Sequence, residues 1–208
     1  MAGAARKRDR VATRAAILEA ARDLFVSDGF ERASIRRIAE RAGCAHGTLY
    51  LYFRDKDDLL QQLIEEQFVL LQGRLRALPR TLGTWERLRE TAVTILRFGL
   101  EMPDHFHLIM STRPSHAPDD DRRLSTMADE MSAFLIDGVV RAAGRRQLRS
   151  GSPQMEAHAL LALIHGVVEL GRSQVMDAST AEAVATRGID LVLAGMRVAP
   201  EPSAPTDA

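Results

Sequence analysis

Residues 34–58 read Ser-Ile-Arg-Arg-Ile-Ala-Glu-Arg-Ala-Gly-Cys-Ala-His-Gly-Thr-Leu-Tyr-Leu-Tyr-Phe-Arg-Asp-Lys-Asp-Asp, and this stretch decides the fold. Ser34 suits the N-cap of a helix, because its hydroxyl can accept a hydrogen bond from a first-turn amide. Apolar side chains then recur at helical spacing until Gly43, which ends the helix. A second helix is predicted from about His46 to Phe53. Two short helices around a glycine-containing turn form a helix-turn-helix, whose second helix can enter a DNA major groove.

The string Ala-Gly-Cys-Ala-His-Gly-Thr-Leu-Tyr-Leu-Tyr-Phe-Arg-Asp-Lys-Asp-Asp-Leu, residues 42–59, closely resembles the DNA-binding motif of the tetracycline-repressor (TetR) family. Its most specific part is the aromatic cluster Tyr50 and Tyr52-Phe53, followed by Lys56 and an acid. The resemblance extends from about residue 10 to about residue 60. It implies an all-α protein with an N-terminal three-helix DNA-binding domain and a helical ligand-binding and dimerisation domain.

The resemblance also implies which residues touch a double-stranded DNA operator. Thr48, the tyrosines and Lys56 are expected at phosphates, which set the register of the protein on DNA. Small, apolar and imidazole groups on the second helix are expected near base edges. Ala45 stands where the family often has Ser or Thr, so it can neither cap the helix nor bond a phosphate. The predicted DNA-binding residues are Ser34, Ala45, His46, Gly47, Thr48, Tyr50, Leu51, Tyr52 and Lys56.

Charge is unevenly distributed along a chain whose formal net charge is zero. Residues 1–56 contain 12 Lys and Arg against 7 Asp and Glu, so this segment is basic and the remainder is acidic. Such a split is typical of a protein that touches phosphate with one end only. The sequence contains no charge-free apolar run of about 18 residues, so it predicts no membrane span. The single cysteine excludes an internal disulfide, and we expect a cytoplasmic protein without a membrane partner.

Helical periodicity continues through the rest of the chain and predicts about nine helices in all. The predicted organisation is a flexible basic arm at residues 1–9, a DNA-binding domain at 10–56, a helical ligand-binding and dimerisation domain at 57–198, and a disordered tail at 199–208. A long helix is predicted from Lys56 to about Leu78, with Asp55 as its N-cap.

Aromatic, methionine and polar side chains of the middle helices are interpreted in two ways. The first is ordinary core, and the second is an apolar cavity with a few polar groups, which is typical of small-molecule sites. The resemblance favours a cavity for an unknown small ligand. The candidate lining residues are Trp85, Phe98, Met102, His105, Phe106, Met110, Met131, Phe134, His165 and Glu169.

The last two predicted helices, from about residue 155 to about residue 198, indicate a homodimer. The first of them is apolar nearly all round, so it must be buried on more than one side. Two such helices can form half of a four-helix interface with a twofold mate. The candidate interface residues are Leu160, Leu163, Ile164, Val167, Gly171, Val184, Leu191 and Val192.

The favoured hypothesis is a homodimeric repressor that leaves a palindromic operator when a small, hydrophobic ligand binds. An activator, or a regulator controlled by a protein partner without a small-molecule pocket, is the nearer alternative. An enzyme with a vestigial head is a more distant one, because no Ser-His-Asp, Walker or His-Glu-x-x-His pattern occurs. We therefore expect no catalytic residues, no cofactor and no metal.

Overall fold

The computed structural model describes residues 2–111, 122–144, 148 and 152–197 of the 208-residue chain. These residues form α1 (Ala2–Asp28), α2 (Ile35–Arg41), α3 (His46–Leu49), α4 (Lys56–Arg76), α5 (Thr84–Glu101), α6 (Pro103–Ser111), α7 (Arg122–Ala143), α8 (Pro153–Arg172) and α9 (Ala178–Met196). Within them, the extended backbone pairing is an isolated antiparallel bridge between Leu148 and Arg197. The predicted all-α fold and its number of helices are confirmed. The predicted tail at 199–208 lies outside the described residues.

The chain divides into two compact units. The first comprises residues 1–76 and 101–129, and the second comprises residues 77–100 and 130–208. Helix α4 therefore belongs to the same unit as the three helices before it. The domain boundary predicted between residues 56 and 57 remains a sequence prediction.

The first unit is built on α1, which packs against α2, α4 and α6. Its apolar stripe is buried, and α2 and α6 add buried side chains of their own. Isolated helices as short as α2 and α6 are marginal in water. Burial of their apolar side chains therefore supplies most of their stability. The buried residues of α1, α2 and α6 are Ile17, Leu18, Ala20, Ala21, Leu24, Phe25, Ile38, Ala39, Phe106, Leu108 and Ile109.

The predicted start and stop signals of α2 and α4 are confirmed. The Ser34 hydroxyl accepts a hydrogen bond from the Arg37 amide at 3.3 Å. The chain leaves α2 through Gly43 at φ 68°, a left-handed conformation that favours glycine. Asp55 accepts a 2.7 Å bond from the Asp58 amide in the first turn of α4. Each cap pairs a backbone group that the helix end would otherwise leave unsatisfied.

Helix α1 begins at Ala2, whereas sequence analysis predicts a flexible basic arm over residues 1–9. This prediction is wrong because it weighed the positive charge of the segment and neglected its helix propensity. Ala, Arg and Lys are among the strongest helix formers, and they make up most of residues 2–8.

In the second unit, α8 and α9 pack closely against each other. Their N-caps are Ser152 and Asp177, whose side chains accept hydrogen bonds from amides of the following turn. A Cβ on Gly188 would lie 2.9 Å from Cδ2 of Leu163, so the absence of a side chain there allows the close approach of the two helices.

Two ion pairs tie α5 to α9 in the same unit. Arg89 binds Asp190 with an Nε–Oδ1 distance of 2.6 Å, and Arg97 binds Glu182 at 2.9 Å. The Arg89 guanidinium holds the pKa of the Asp190 carboxyl below its usual value. No helix in the described part of the chain is long and apolar enough to cross a membrane.

Candidate nucleic-acid interface

Helix α3 is shorter than predicted, since it ends at Leu49 rather than Phe53. The amides of Leu51 and Tyr52 donate to carbonyls three residues back, at 3.1 and 3.0 Å. These bonds are the tighter, 3₁₀-like closure that often ends an α-helix. The chain thereby turns toward the Asp55 cap of α4 instead of continuing the helix.

One side of this short segment is buried and the other is open. Leu49 is fully buried and Phe53 is 1% exposed, so both anchor the segment in the first unit. Tyr50 and Leu51, by contrast, are 51% and 75% exposed. Two large side chains that are neighbours in sequence are thus open to solvent on the same short segment. The exposed side chains therefore form a candidate contact surface.

Seven of the predicted DNA-binding residues, 45–48 and 50–52, lie on this segment. Ala45, His46 and Gly47 are exposed, and Thr48 and Tyr52 are half-buried. The imidazole of His46 makes an edge-to-face contact with the Tyr50 ring, with centroids 5.3 Å apart. We name the exposed residues 45–47, 50 and 51 the reading face.

Ser34 and Ala45 differ as helix caps, as the sequence predicts. Ser34 is exposed, and its oxygen caps α2 while its hydroxyl hydrogen remains able to donate to a phosphate. Ala45 has the extended backbone of an N-cap, with φ −66° and ψ 143°, but no side-chain bond caps α3. The first backbone N–H groups of α3 therefore receive no side-chain acceptor, and they point along the helix axis.

Lys56 has a structural role that sequence reasoning missed. Its Nζ donates to the backbone carbonyls of Phe30 and Glu31, at 2.8 and 3.3 Å. The same ammonium lies 4.2 Å from the centroid of the Phe30 ring. Lys56 therefore fastens the start of α4 to the connection between α1 and α2. A DNA contact by its third N–H stays a prediction.

Several arginines that the structure describes in the first unit are already paired with carboxylates. Ion pairs join Arg14 to Glu66, Arg22 to Asp23, Arg36 to Glu40, Arg37 to Asp28, Arg41 to Asp23 and Arg54 to Asp58. Arg36 and Arg54 are 80% and 79% exposed. Exposed pairs of this kind contribute only about 0.3–0.5 kcal/mol, so a phosphate can take over either guanidinium. These two arginines are candidate phosphate contacts that sequence reasoning did not name.

Two family patterns match this sequence. The pattern described as "Bacterial regulatory proteins, tetR family" matches residues 17–63, which include the reading face. The pattern described as "Tetracyclin repressor-like, C-terminal domain" matches residues 88–192, half of the chain. The chain belongs to the tetracycline-repressor family. As a member of this family, it is a DNA-binding transcriptional regulator.

Several family members resemble this TetR chain along different parts of its length. A fatty acid metabolism regulator protein of Bacillus subtilis is 30% identical over 93 residues, which cover 45% of this chain and 43% of that protein. The HTH-type transcriptional repressor BepR of Brucella suis is 27% identical over 203 residues, covering 92% and 90%. The structure of the regulator FadR from Bacillus subtilis in complex with stearoyl-CoA superposes with a TM-score of 0.68 at 18% identity, covering 88% and 98%.

The predicted ligand-binding residues divide between the two units. Met102, His105, Phe106 and Met110 belong to the first unit, and the other six belong to the second. Phe98, Phe106 and Met131 are fully buried. Trp85, Phe134, His165 and Glu169 are partly exposed, as are Met102, His105 and Met110.

His105 is the polar candidate whose environment is best defined. Burial lowers its pKa below the usual value, and the nearby charge of Arg22 lowers it further. The imidazole is therefore neutral at pH 7, so one ring nitrogen can donate and the other can accept a hydrogen bond. Among the residues that the structure describes, no group of three or more His, Cys, Asp or Glu could hold a metal ion.

The predicted dimer residues also fall into two groups. Leu160, Ile164 and Val167 are buried within the folded chain, at 0–4% exposure, so they cannot form an outer surface. The dimer interface stays a prediction, since α8 is apolar nearly all round and its sequence does not reveal which side faces its own chain. Leu163 and Gly171 are half-buried and make contacts within the second unit. Val184 and Leu191 are exposed, and Val192 is half-buried.

Replacing Lys56 with Met is expected to lower the free energy of unfolding by about 1–2 kcal/mol, because two backbone carbonyls lose a charged donor. Urea denaturation measures this change. Arg54→Met is the matched control, since Arg54 is 79% exposed and its loss should change stability by less than about 0.5 kcal/mol. Equal stability of the two variants would show that the Lys56 bonds do not hold the first unit together.

Replacing Ala45 with Ser is expected to raise the free energy of unfolding by about 1 kcal/mol, because a hydroxyl at this position can cap α3. The backbone at Ala45 already has the extended conformation that a cap requires. Ala12→Ser, an exposed change inside α1, provides the control and should be neutral or slightly destabilising. A loss of stability in Ala45→Ser would mean that this helix end has no amide available for capping.

Proposed function

We propose that this TetR-family chain is a homodimeric repressor that binds a palindromic operator and leaves it when a small, hydrophobic ligand binds. The observation that carries the proposal is the reading face, which is exposed on one side of a segment whose other side is fully anchored. The apolar and aromatic groups on this face are open to solvent and therefore available to a partner. The family's partner at the corresponding helix is DNA.

The reading face and its surroundings provide both kinds of DNA contact. Tyr50 and Ser34 have hydroxyl groups for phosphates, and the exposed guanidiniums of Arg36 and Arg54 can exchange their surface carboxylates for phosphate. His46 can bond to a guanine acceptor, and Leu51 can contact a thymine methyl group. Phosphate contacts set register and base contacts set preference, so operator choice depends mainly on His46, Leu51 and the small residues beside them.

The proposed dimer surface is the exposed face of α8 and α9. Large apolar side chains on it are Met155, Leu170, Val184 and Leu191, which are 69%, 37%, 43% and 56% exposed. On α8, Met155 and Leu170 are separated by small exposed residues at helical spacing, Ala159, Ala162 and Gly166. Small residues let two helices approach closely, and the large ones then fill the space beside them. A twofold mate presents the same surface and covers this face.

Release by a hydrophobic ligand is supported by the comparisons in two ways. A similar sequence is named for fatty acid metabolism, and a similar structure was solved with stearoyl-CoA. In the second unit of this chain, the partly exposed Phe134, His165 and Glu169 are the proposed ligand contacts. The assignment of Met102, His105 and Met110, which belong to the first unit, stays a sequence prediction. A ligand shifts the protein toward a non-binding state only by binding that state more tightly.

Replacing Leu191 with Arg is expected to convert the dimer into a monomer and to weaken operator binding roughly 100-fold, because the two reading faces then bind independently. The operator is obtained first, by selecting wild-type binding sites from random double-stranded DNA. The wild-type selection should return a palindrome whose half-sites lie about one helical turn apart. Light scattering measures the oligomeric state.

Val140→Arg is the control for this substitution. Val140 is a 49% exposed apolar residue on α7, so the change adds the same charge at a position outside the proposed dimer surface. This variant should remain a dimer and keep its affinity for the operator. A dimeric Leu191→Arg variant with unchanged operator binding would contradict the proposed interface, and a non-palindromic site would contradict the twofold arrangement.

A further inference from the structure

The second unit contains a cleft of about 310 Å³ between the first turns of α5 and the last turns of α9. This volume is near the lower limit of small-molecule sites, so it suits a compact ligand. Its apolar lining comes from Trp85, Leu193 and Ala194. Trp85 is the only tryptophan in the sequence, and it is half-buried.

Arg197 stands at one side of the cleft with its guanidinium stacked on the indole of Trp85. The guanidinium carbon lies 4.5 Å from the ring centroid. The backbone of Arg197 is fixed as well, because it forms an antiparallel bridge with Leu148 and its amide donates to the Ala194 carbonyl. Within the described part of the chain, no carboxylate forms an ion pair with Arg197. A stacked, pre-positioned guanidinium keeps its hydrogen-bond donors available for a planar acceptor.

The other charged residues that line the cleft are Glu86, Arg89 and Asp190. Arg89 is engaged by Asp190, with Nε–Oδ1 at 2.6 Å and Nη2–Oδ2 at 3.4 Å, and by Glu90 at 3.0 Å. This pairing raises the pKa of Arg89 above its usual value and neutralises the Asp190 carboxylate. Glu86 is exposed and therefore well solvated at the margin of the cleft. Arg197 is thus the cleft cation whose charge remains for a ligand.

The geometry points to a binding site for a small organic carboxylate with a compact apolar body. The carboxylate pairs with the guanidinium of Arg197, since a carboxylate and a guanidinium form two parallel charge-assisted hydrogen bonds. The apolar body lies against Trp85 and Leu193. This site is additional to the ligand contacts proposed above. Binding of a carboxylate to this site does not depend on the proposed repressor function. Only an effect of that binding on DNA affinity rests on the proposed function.

The test uses full-length protein and the fluorescence of Trp85, which reports on this cleft without interference from another tryptophan. The probes are cyclohexanecarboxylate, isovalerate and benzoate, with cyclohexanecarboxamide as the uncharged isostere. We expect a saturable fluorescence change with at least one carboxylate and at least about 10-fold weaker binding of the amide. Titration calorimetry measures the same affinities without an optical signal.

Arg197→Gln tests the guanidinium while leaving the backbone bridge to Leu148 possible. The substitution should weaken carboxylate binding at least about 10-fold. Arg97→Gln is the matched control, because Arg97 is an exposed arginine of α5 that pairs with Glu182 outside the cleft lining. The Arg97→Gln variant should bind the carboxylate with the affinity of the wild type. Thermal unfolding of both variants verifies that the second unit remains folded.

Three results would overturn the site: no saturation by any of the three carboxylates up to about 10 mM, equal binding of the amide, or unchanged binding by Arg197→Gln. DNA affinity is measured separately with the same compound. A carboxylate that binds in an Arg197-dependent way without altering DNA affinity supports the site and shows that it is not coupled to the proposed repressor function.

Discussion

The structure of the first unit depends on one constraint: α3 is too short to be stable by itself. Four residues cannot offset the cost of helix nucleation, so tertiary packing must hold the segment. Leu49 and Phe53 provide that packing through complete or nearly complete burial. Because both anchors point inward, the residues between and before them are presented to solvent in a fixed orientation.

The contacts around these anchors serve the same end. Arg14 of α1 lies over the Phe53 ring and donates hydrogen bonds to Gln62 and Glu66 of α4. It therefore links α1 to α4 next to the segment that carries the reading face. Lys56 fastens the start of α4 to the α1–α2 connection. A site on rigid supports binds without first ordering its own side chains and backbone, which lowers the entropic cost of association.

Sequence reasoning predicted the elements of this unit well, because each has a local signal: Ser34 and Asp55 as caps, and Gly43 as a stop. It could not settle what depends on tertiary context. Phe98, Phe106 and Met131 are fully buried, and their residue types suit ordinary core and a cavity lining equally well. Periodicity showed that α8 is apolar but did not show which side faces its own chain. The hydrogen bonds of Lys56 join residues about 25 positions apart, so no local pattern reveals them.

The central claim is that the scaffold fixes the reading face and that His46 and Leu51 set its base preference. Binding-site selection on random DNA with a His46→Ala, Leu51→Ala variant tests it most directly, with the wild type selected in parallel. Both side chains are exposed, so the variant should fold normally. The account predicts that the variant loses the wild-type preference at the bases it contacts, while its salt dependence is unchanged, because phosphate contacts remain. Recovery of the same operator sequence with the same selectivity would contradict it.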